Sequence, residues 1–322
     1  MESLSPEQIR KEIKVVFMGT PSFAVPILEG LIEHYHVIMV VCQPDRKKDR
    51  KGNMIIPDTK RLALENEIEV FQPFRIREDY QKILECNPDI IVTCAYGQMI
   101  PQEVIDFPRY GCINVHGSLL PELRGGAPIH WAIIRGYQET GITIMKMSQK
   151  MDAGDIISQA KLEIGKEEIL DSLYKRMSYL GKELLLDTLP KILDGTVKHF
   201  PQDEEEVTFG YNVSREDARI DFHQSGQDIY NLVRGLNSIP AAYCSLDGKR
   251  MKVYQVEQVE IKEKRCYQIG EIVRVDSDGI VIQCGDGGLK LLEIGMEGKK
   301  RCMVKDYLNG VQKGSLVGKV LE

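Results

Sequence analysis

Two hydrogen-bonding side chains at the end of an apolar run are the first candidates for chemistry in this sequence. The segment GCINVHG, residues 111–117, carries Asn114 and His116 two positions apart, just before a glycine-containing loop. Side chains alternate between the faces of a strand, so both groups point to the same face. An amide can donate to a developing oxyanion, and an imidazole can move a proton near neutral pH. The pair therefore predicts a site that polarises a carbonyl group.

A third member of this site is expected in the segment MDAGDI, residues 151–156. Asp152 and Asp155 flank a glycine-containing turn there. A carboxylate beside an imidazole favours the protonated ring and fixes its orientation. Taken singly, each piece has an ordinary explanation, as a structural histidine or as turn-forming aspartates. Their combination with a glycine-rich loop favours a catalytic site.

The elements that must position these groups follow a βαβ rhythm. Short apolar runs, largely free of polar residues, alternate with helical stretches, and such runs are typical of parallel strands buried on both faces. The pattern predicts an open α/β sheet whose ligands bind at the carboxyl ends of its strands. The predicted strands are 13–19, 37–43, 89–97, 111–117 and 141–147, and the predicted helices are 23–34, 57–67, 77–87 and 169–195.

The second part of the chain has a different pattern. Residues 196–214 are polar, acidic and aperiodic, which indicates a linker. From Pro240 onward, short alternating segments separated by Asp-Gly and Gly-Gly turns predict a small antiparallel OB-like β-barrel of about five strands. We therefore expect four regions: an extension at 1–12, a catalytic domain at 13–195, a linker at 196–214, and a barrel domain at 215–322.

Composition narrows the class of protein. The 322 residues are 43% hydrophobic and 28% charged, and contain no apolar run long enough to span a membrane. The N-terminus lacks the apolar core of a signal peptide, and the eight cysteines include no CxxC pair. We expect a cytoplasmic protein without a structural metal. The sequence also lacks the HExxH, Walker, GxGxxG and GxSxG motifs, so little remains except acyl or one-carbon transfer without a metal.

A basic loop stands out against the net charge of −6. The segment PDRKKDRKGN, residues 44–53, carries five basic residues and only two acidic ones. Such a cluster can bind phosphate groups, although a solvated surface loop has the same composition. The five candidates for phosphate binding are Arg46, Lys47, Lys48, Arg50 and Lys51.

The segments INVHGSLLPELRGGAPIHWAI and TGITIMKMSQKMDAGDI resemble the formyltransferases that use 10-formyltetrahydrofolate. The resemblance extends to VFMGTPSFAVPIL, QPDR, AYGQMIP, EDARIDF, LVRGLN and the terminal DYLNG, and it covers nearly the whole chain from Ile13 onward. It implies a Rossmann-like, parallel-rich sheet followed by an OB-like barrel. It places the catalytic residues of the family on Asn114, His116 and Asp152.

The resemblance also implies the substrates. The closing segments are similar to the branch of the family that formylates methionine on initiator tRNA for translation initiation. The formyl donor, 10-formyltetrahydrofolate, is then expected to contact two loops, and the basic loop and the barrel to hold the tRNA. The donor-binding residues are Ser118, Leu119, Leu120 and Pro121 in the first loop and Ala95, Tyr96 and Gly97 in the second. We expect the protein to act as a monomer, without a metal or a membrane.

Two other functions remain open at this point. A sugar-nucleotide N-formyltransferase would share Asn114, His116, Asp152 and the folate site. A folate- or RNA-binding protein without catalysis would need only part of this set. The basic loop and the DYLNG ending argue against the first alternative, and the complete Asn/His/Asp set argues against the second.

Overall fold

The computed structural model describes residues 11–46, 54–237, 239–261 and 266–322. Its contacts group the chain into two compact units. The first unit contains residues 1–128, 140–163 and 174–211, and the second contains 129–139, 164–173 and 212–322. The short segments 129–139 and 164–173 therefore group with the C-terminal part of the chain. Both segments lie within the range 13–195 that we expected from the sequence to form the catalytic domain.

The first unit is built on a seven-stranded sheet with the order β3-β2-β1-β4-β5-β6-β7. Strands β1 to β5 pair in parallel, and β6 runs antiparallel to β5. This arrangement confirms the parallel-rich α/β sheet expected from the sequence. The strands are β1 Lys14–Gly19, β2 His36–Val41, β3 Glu69–Phe71, β4 Ile90–Cys94, β5 Cys112–His116, β6 Glu139–Lys146 and β7 Ile156–Glu163.

The burial of each strand explains its sequence. β1 and β4 lie in the middle of the sheet and are buried along almost their whole length, so both faces are apolar. β7 lies at the edge and alternates between covered and exposed residues. The helices are α1 Val25–His34, α2 Asp58–Glu65, α3 Gln81–Glu85, α4 Gln102–Asp106, α5 Pro128–Ile134, α6 Leu170–Leu193, α7 Gly226–Gly235 and α8 Val304–Tyr307. Helix α6 continues through Pro190 to its end three residues later, so this proline does not break it.

The second unit contains a six-stranded antiparallel sheet with the order β10-β11-β12-β9-β8, and β13 pairs with β12. This architecture confirms the antiparallel OB-like domain. Its core is apolar, with Leu289, Leu291 and Ile294 fully buried. The strands are β8 Ala242–Leu246, β9 Lys249–Val259, β10 Ile272–Val275, β11 Ile280–Cys284, β12 Gly287–Met296 and β13 Cys302–Met303.

All eight cysteines are free thiols, and five of them are buried. Burial raises the pKa of Cys42 to about 11 and that of Cys244 to about 12. These thiols therefore remain protonated near neutral pH and act as small apolar side chains. Among the described residues, no helix combines the length and the hydrophobicity needed to cross a lipid bilayer.

Candidate active site

Asn114 and His116 lie at the carboxyl end of β5, as the sequence predicted. In the ladder, Asn114 is opposite Thr93 of β4, and His116 is opposite Thr143 of β6. The imidazole is 6% exposed, whereas Asn114 is half-buried. Because β4 and β5 are parallel neighbours, the loops that follow them leave the sheet at the same edge.

Asn114 is oriented by a neighbouring hydroxyl group. Thr93 Oγ1 donates to Asn114 Oδ1 at 2.8 Å, and Thr93 is itself almost fully buried. This bond occupies the carboxamide oxygen and leaves the Nδ2 amino group as a separate donor. Asn114 thus keeps a donor for a group outside the sheet.

His116 has an acceptor near each ring nitrogen. Nε2 lies 3.1 Å from the carbonyl oxygen of Leu123, and Nδ1 lies 3.7 Å from Asp152 Oδ1. The carbonyl can only accept, so Nε2 carries a hydrogen in this bond. Nδ1 faces the carboxylate of Asp152.

Asp152 is held by hydrogen bonds to both its carboxylate and its main-chain oxygen. Its Oδ2 accepts from the amide of Gly125 at 2.8 Å, and its main-chain oxygen accepts from Gln202 Nε2 at 2.8 Å. Asp152 has a φ of 49°, in the left-handed region that aspartate tolerates better than most residues. These contacts place its other carboxylate oxygen towards His116. The structure thus brings Asn114, His116 and Asp152 to one edge of the sheet.

The loop between β5 and α5 is anchored by residues that sequence reasoning missed. The buried guanidinium of Arg124 donates through Nε to Gln202 Oε1 at 3.0 Å and through Nη2 to Glu204 at 2.9 Å. The amide of Leu123 donates to Thr208 Oγ1 at 2.9 Å. Hydrogen bonding to Arg124 also lowers the pKa of Glu204. The segment 202–208, which the sequence suggested was a linker, is therefore part of the site's support.

The two loops expected to bind a cofactor differ in what they offer. In the first, Ser118 is buried and donates to the carbonyl of Glu122 at 2.6 Å, and Leu120 bonds through its backbone to Thr143 and Gln159. Pro121 follows a cis peptide bond, and Leu119 is only partly covered. This loop is therefore rigidly supported from β6 and β7.

In the second loop, Ala95 and Gly97 are exposed and have φ values of 49° and 89°. The ring of Tyr96, by contrast, is 4% exposed and packs in the hydrophobic core of the unit. Tyr96 therefore offers a ligand its backbone and not its ring. Its carbonyl accepts from Gln43 Nε2 at 2.9 Å and from Thr20 Oγ1 at 3.3 Å.

The basic loop is described only at its ends. Arg46 forms an antiparallel bridge with Ile55 and is exposed. The preceding Asp45 is held by Gln72 and by Lys60, and these hydrogen bonds lower its pKa. The other four basic candidates, Lys47, Lys48, Arg50 and Lys51, lie outside the described residues, as do residues 1–10 of the expected extension.

The described part of the chain contains no group of three or more His, Cys, Asp or Glu side chains arranged to hold a metal ion. At the rim, the carboxyl-terminal edge of the sheet where Asn114, His116 and Asp152 lie, the protein presents an amide donor, an imidazole with two flanking acceptors, and a fixed carboxylate. Together they can stabilise negative charge on a carbonyl oxygen and transfer a proton.

Comparison with known families identifies the class. Residues 12–189 match the model of the formyl transferase family, and residues 212–312 match its C-terminal domain. The chain belongs to the formyl transferase family, and it is accordingly a group-transferring enzyme. A curated relative from Bacillus thuringiensis, named methionyl-tRNA formyltransferase, is 48% identical over 93% of this chain and 96% of its own length.

Solved structures share the fold at lower identity. An N-formyltransferase from Helicobacter canadensis, in complex with folinic acid and dTDP-3-aminofucose, superposes with a TM-score of 0.65 at 18% identity, covering 87% of this chain and 98% of its own. HypX from Aquifex aeolicus, in complex with tetrahydrofolic acid, gives 0.60 at 19% identity over 91% of this chain. The chain spans about half the length of HypX, 46% of that protein.

Proposed function

We propose that the protein transfers the formyl group of 10-formyltetrahydrofolate to the free amino group of methionine on initiator tRNA. Its Bacillus relatives are named methionyl-tRNA formyltransferase. The observation that carries the proposal is the convergence of Asn114, His116 and Asp152 at one rim of the sheet. Translation initiation in the cytoplasm is the process that uses such a product. That the enzyme acts as a monomer stays a prediction.

The three side chains divide the chemistry between them. The neutral amine of the acceptor attacks the formyl carbon, and negative charge develops on the formyl oxygen. Asn114 Nδ2 donates to that oxygen, and one such donor is typically worth about 3 kcal/mol of transition-state stabilisation. The protonated His116 ring, held between the Leu123 carbonyl and Asp152, adds positive charge beside the oxygen. Asp152 balances the charge of the ring and helps to move the proton of the amine towards the departing folate nitrogen.

We assign the folate donor to the two loops beside Asn114. The backbone of Leu120 in the loop 118–121 is hydrogen-bonded to the side chains of Thr143 on β6 and Gln159 on β7, and the loop 95–97 has exposed residues at positive φ. These loops follow the adjacent strands β5 and β4, and the flat pterin ring of the donor would lie between them. When bound, this donor supplies the activated formyl group.

The acceptor RNA is held by positive charge. We assign Arg46, Lys47, Lys48, Arg50 and Lys51 to its phosphates, because they cluster in a short segment of an otherwise acidic chain. The bridge between Arg46 and Ile55 closes the base of this loop. The OB-like unit is a further candidate for the RNA, since this fold commonly binds nucleic acid.

The test is a formylation assay with two acceptors. Purified protein, 10-formyltetrahydrofolate and either methionyl initiator tRNA or an amino-sugar nucleotide are incubated, and formylated product is quantified. The proposal expects turnover with the tRNA and none with the sugar nucleotide. Turnover with only the sugar nucleotide would support the rival enzyme. Binding of the donor without turnover on either acceptor would support a non-catalytic protein.

A further inference from the structure

The side chain of Gln202 is engaged on every side by groups of the fold. Its Nε2 group donates to the main-chain oxygen of Asp152 at 2.8 Å and to that of Gly154 at 2.7 Å. Its Oε1 accepts from Arg124 Nε at 3.0 Å. Two carbonyl acceptors match the two hydrogens of Nε2, so no N–H of this half-buried side chain remains for a substrate. Any part that Gln202 takes in the reaction therefore acts through the groups it holds.

The two bonds from Nε2 fix the backbone of the turn that carries Asp152. Their acceptors, the carbonyls of Asp152 and Gly154, lie on either side of Ala153. Asp152 has a φ of 49°, a left-handed conformation that a residue with a side chain keeps only where its surroundings impose it. Because the backbone conformation of a residue sets the direction of its side chain, these bonds also direct the carboxylate whose Oδ1 lies 3.7 Å from His116 Nδ1.

The third bond of Gln202 reaches the segment on the other side of the imidazole. Arg124 directly follows Leu123, whose carbonyl oxygen lies 3.1 Å from His116 Nε2. The side chain of Arg124 is 5% exposed and also pairs with the exposed Glu204. One carboxamide thus joins the two segments between which the His116 ring is held.

We propose that Gln202 is a positioning residue for formyl transfer, which acts on turnover by directing the Asp152 carboxylate towards His116. This inference rests on the proposed function. Without the bonds from Nε2, the turn relaxes to other backbone conformations and the carboxylate no longer faces Nδ1. The effect falls on turnover and not on binding, because the hydrogen bonds of Gln202 go to the turn and to Arg124, not to the loops assigned to the donor.

Two variants of the intact protein test this role in steady-state assays. Gln202→Met keeps the length of the side chain and removes its hydrogen bonds, whereas Gln202→Glu keeps an acceptor for Arg124 and loses both donors to the turn. We expect each variant to lower kcat by about tenfold and to leave the Michaelis constants for donor and methionyl-tRNA within about twofold of the wild type. Glu204→Gln is the matched control, since it changes the exposed partner of Arg124 without touching the turn, and it should keep the wild-type kcat.

A double variant tests whether the effect runs through the carboxylate. Adding Gln202→Met to Asp152→Ala should lower kcat by no more than about twofold further, because the group that Gln202 directs is already absent. A general loss of structure would instead cost the full factor in both backgrounds, and that result would overturn the proposal. An unchanged kcat in both Gln202→Met and Gln202→Glu would overturn it as well.

The nuclear magnetic resonance signals of the His116 ring nitrogens give a readout that does not depend on turnover. In protein with isotopically labelled histidine, these signals are assigned from their absence in His116→Ala. They should move in Gln202→Met in the same direction as in Asp152→Ala, and should keep their wild-type positions in Glu204→Gln. Wild-type positions in both Gln202 variants would overturn the positioning role. If the wild type formylates no methionyl-tRNA, the proposed function fails, and the His116 signals still decide whether Gln202 directs Asp152.

Discussion

The two units of the molecule use buried polar side chains for different purposes. In the C-terminal unit, the buried Arg234 donates to Asn231 and to the carbonyls of Gly165 and Glu168, and Asn237 donates to the carbonyl of Tyr254. These bonds tie separate segments together. In the N-terminal unit, neighbouring groups fix Asn114, His116 and Asp152, while the Nδ2 group of Asn114 remains as a donor.

The difference shows how one chain separates stability from chemistry. Groups that are bonded within the fold stabilise it, because leaving a buried donor or acceptor unpaired costs about 1–3 kcal/mol. Groups that face a substrate must keep some of their bonding capacity for the transition state. We therefore expect substitutions at the rim to lower turnover far more than stability, and substitutions in the barrel core to do the reverse.

The largest effect is expected at the rim. Asn114→Ala and Asp152→Ala should each lower kcat by about 100-fold or more, because each removes a group that acts on the charged intermediate. Steady-state assays with saturating donor and methionyl-tRNA measure this. Asp155→Ala is the matched control, since the residue lies in the same turn and contacts Lys146 through its backbone carbonyl. A comparable loss in that control would show that the turn, and not the Asp152 carboxylate, matters.

The opposite result is expected in the barrel core. Leu291→Ala removes a fully buried side chain and should lower the free energy of unfolding by about 2–5 kcal/mol. Under native conditions, kcat should stay near the wild-type value. Denaturant titration measures the stability, and the half-exposed Val317→Ala serves as the control with a small expected change. An unchanged denaturation midpoint for Leu291→Ala would contradict the packing described for this unit.

A smaller effect is expected at Thr93, which contacts Asn114 from the neighbouring strand β4. Thr93→Val keeps the shape of the side chain but removes the hydroxyl that orients the Asn114 carboxamide. We expect kcat to fall by about tenfold, while the Michaelis constant for the donor changes little. Thr93→Ser restores the hydroxyl and should restore most of the activity. If the serine variant is no better than the valine variant, the orienting bond has no role in turnover.

The smallest effect per residue is expected in the basic loop. Neutralising Arg46, Lys47, Lys48, Arg50 and Lys51 one at a time should raise the Michaelis constant for tRNA and leave that for the donor unchanged. Each substitution that removes a charge from a phosphate group should also reduce the salt dependence by about one unit of log–log slope. Lys175, exposed on helix α6, provides a control substitution. An unchanged tRNA constant and salt slope would make the loop an ordinary solvated segment.

The sequence predicted the strands because an apolar run buried on both faces has a strong signal. Asn114 and His116 followed from alternation along one such run. The bond between Thr93 and Asn114 depends on the register of two strands, which pairs residues 21 positions apart and which no local pattern encodes. The orientation of Tyr96 could not be predicted from a local pattern either, since its ring packs in the core while its backbone lies in the loop after β4.

The hydrogen bonds that hold the loop 123–127 could not be predicted from the sequence either. Gln202 and Thr208 lie in an aperiodic, acidic segment, because they act through hydrogen bonds to Asp152, Arg124 and Leu123 and not through a periodic apolar face. An aperiodic polar segment has the same pattern as a linker. Only the three-dimensional structure shows that residues 202–208 contact the loop beside Asp152.

The most direct test of the central claim is the rate of formyl transfer by His116→Ala in a single turnover, with both substrates saturating. We predict a rate at least about 100-fold below that of the wild type. Dissociation constants for donor and methionyl-tRNA should stay near the wild-type values, and a cooperative unfolding transition should show that the variant is folded. A near-wild-type rate in this variant would contradict the assignment of the chemistry to the rim of the seven-stranded sheet.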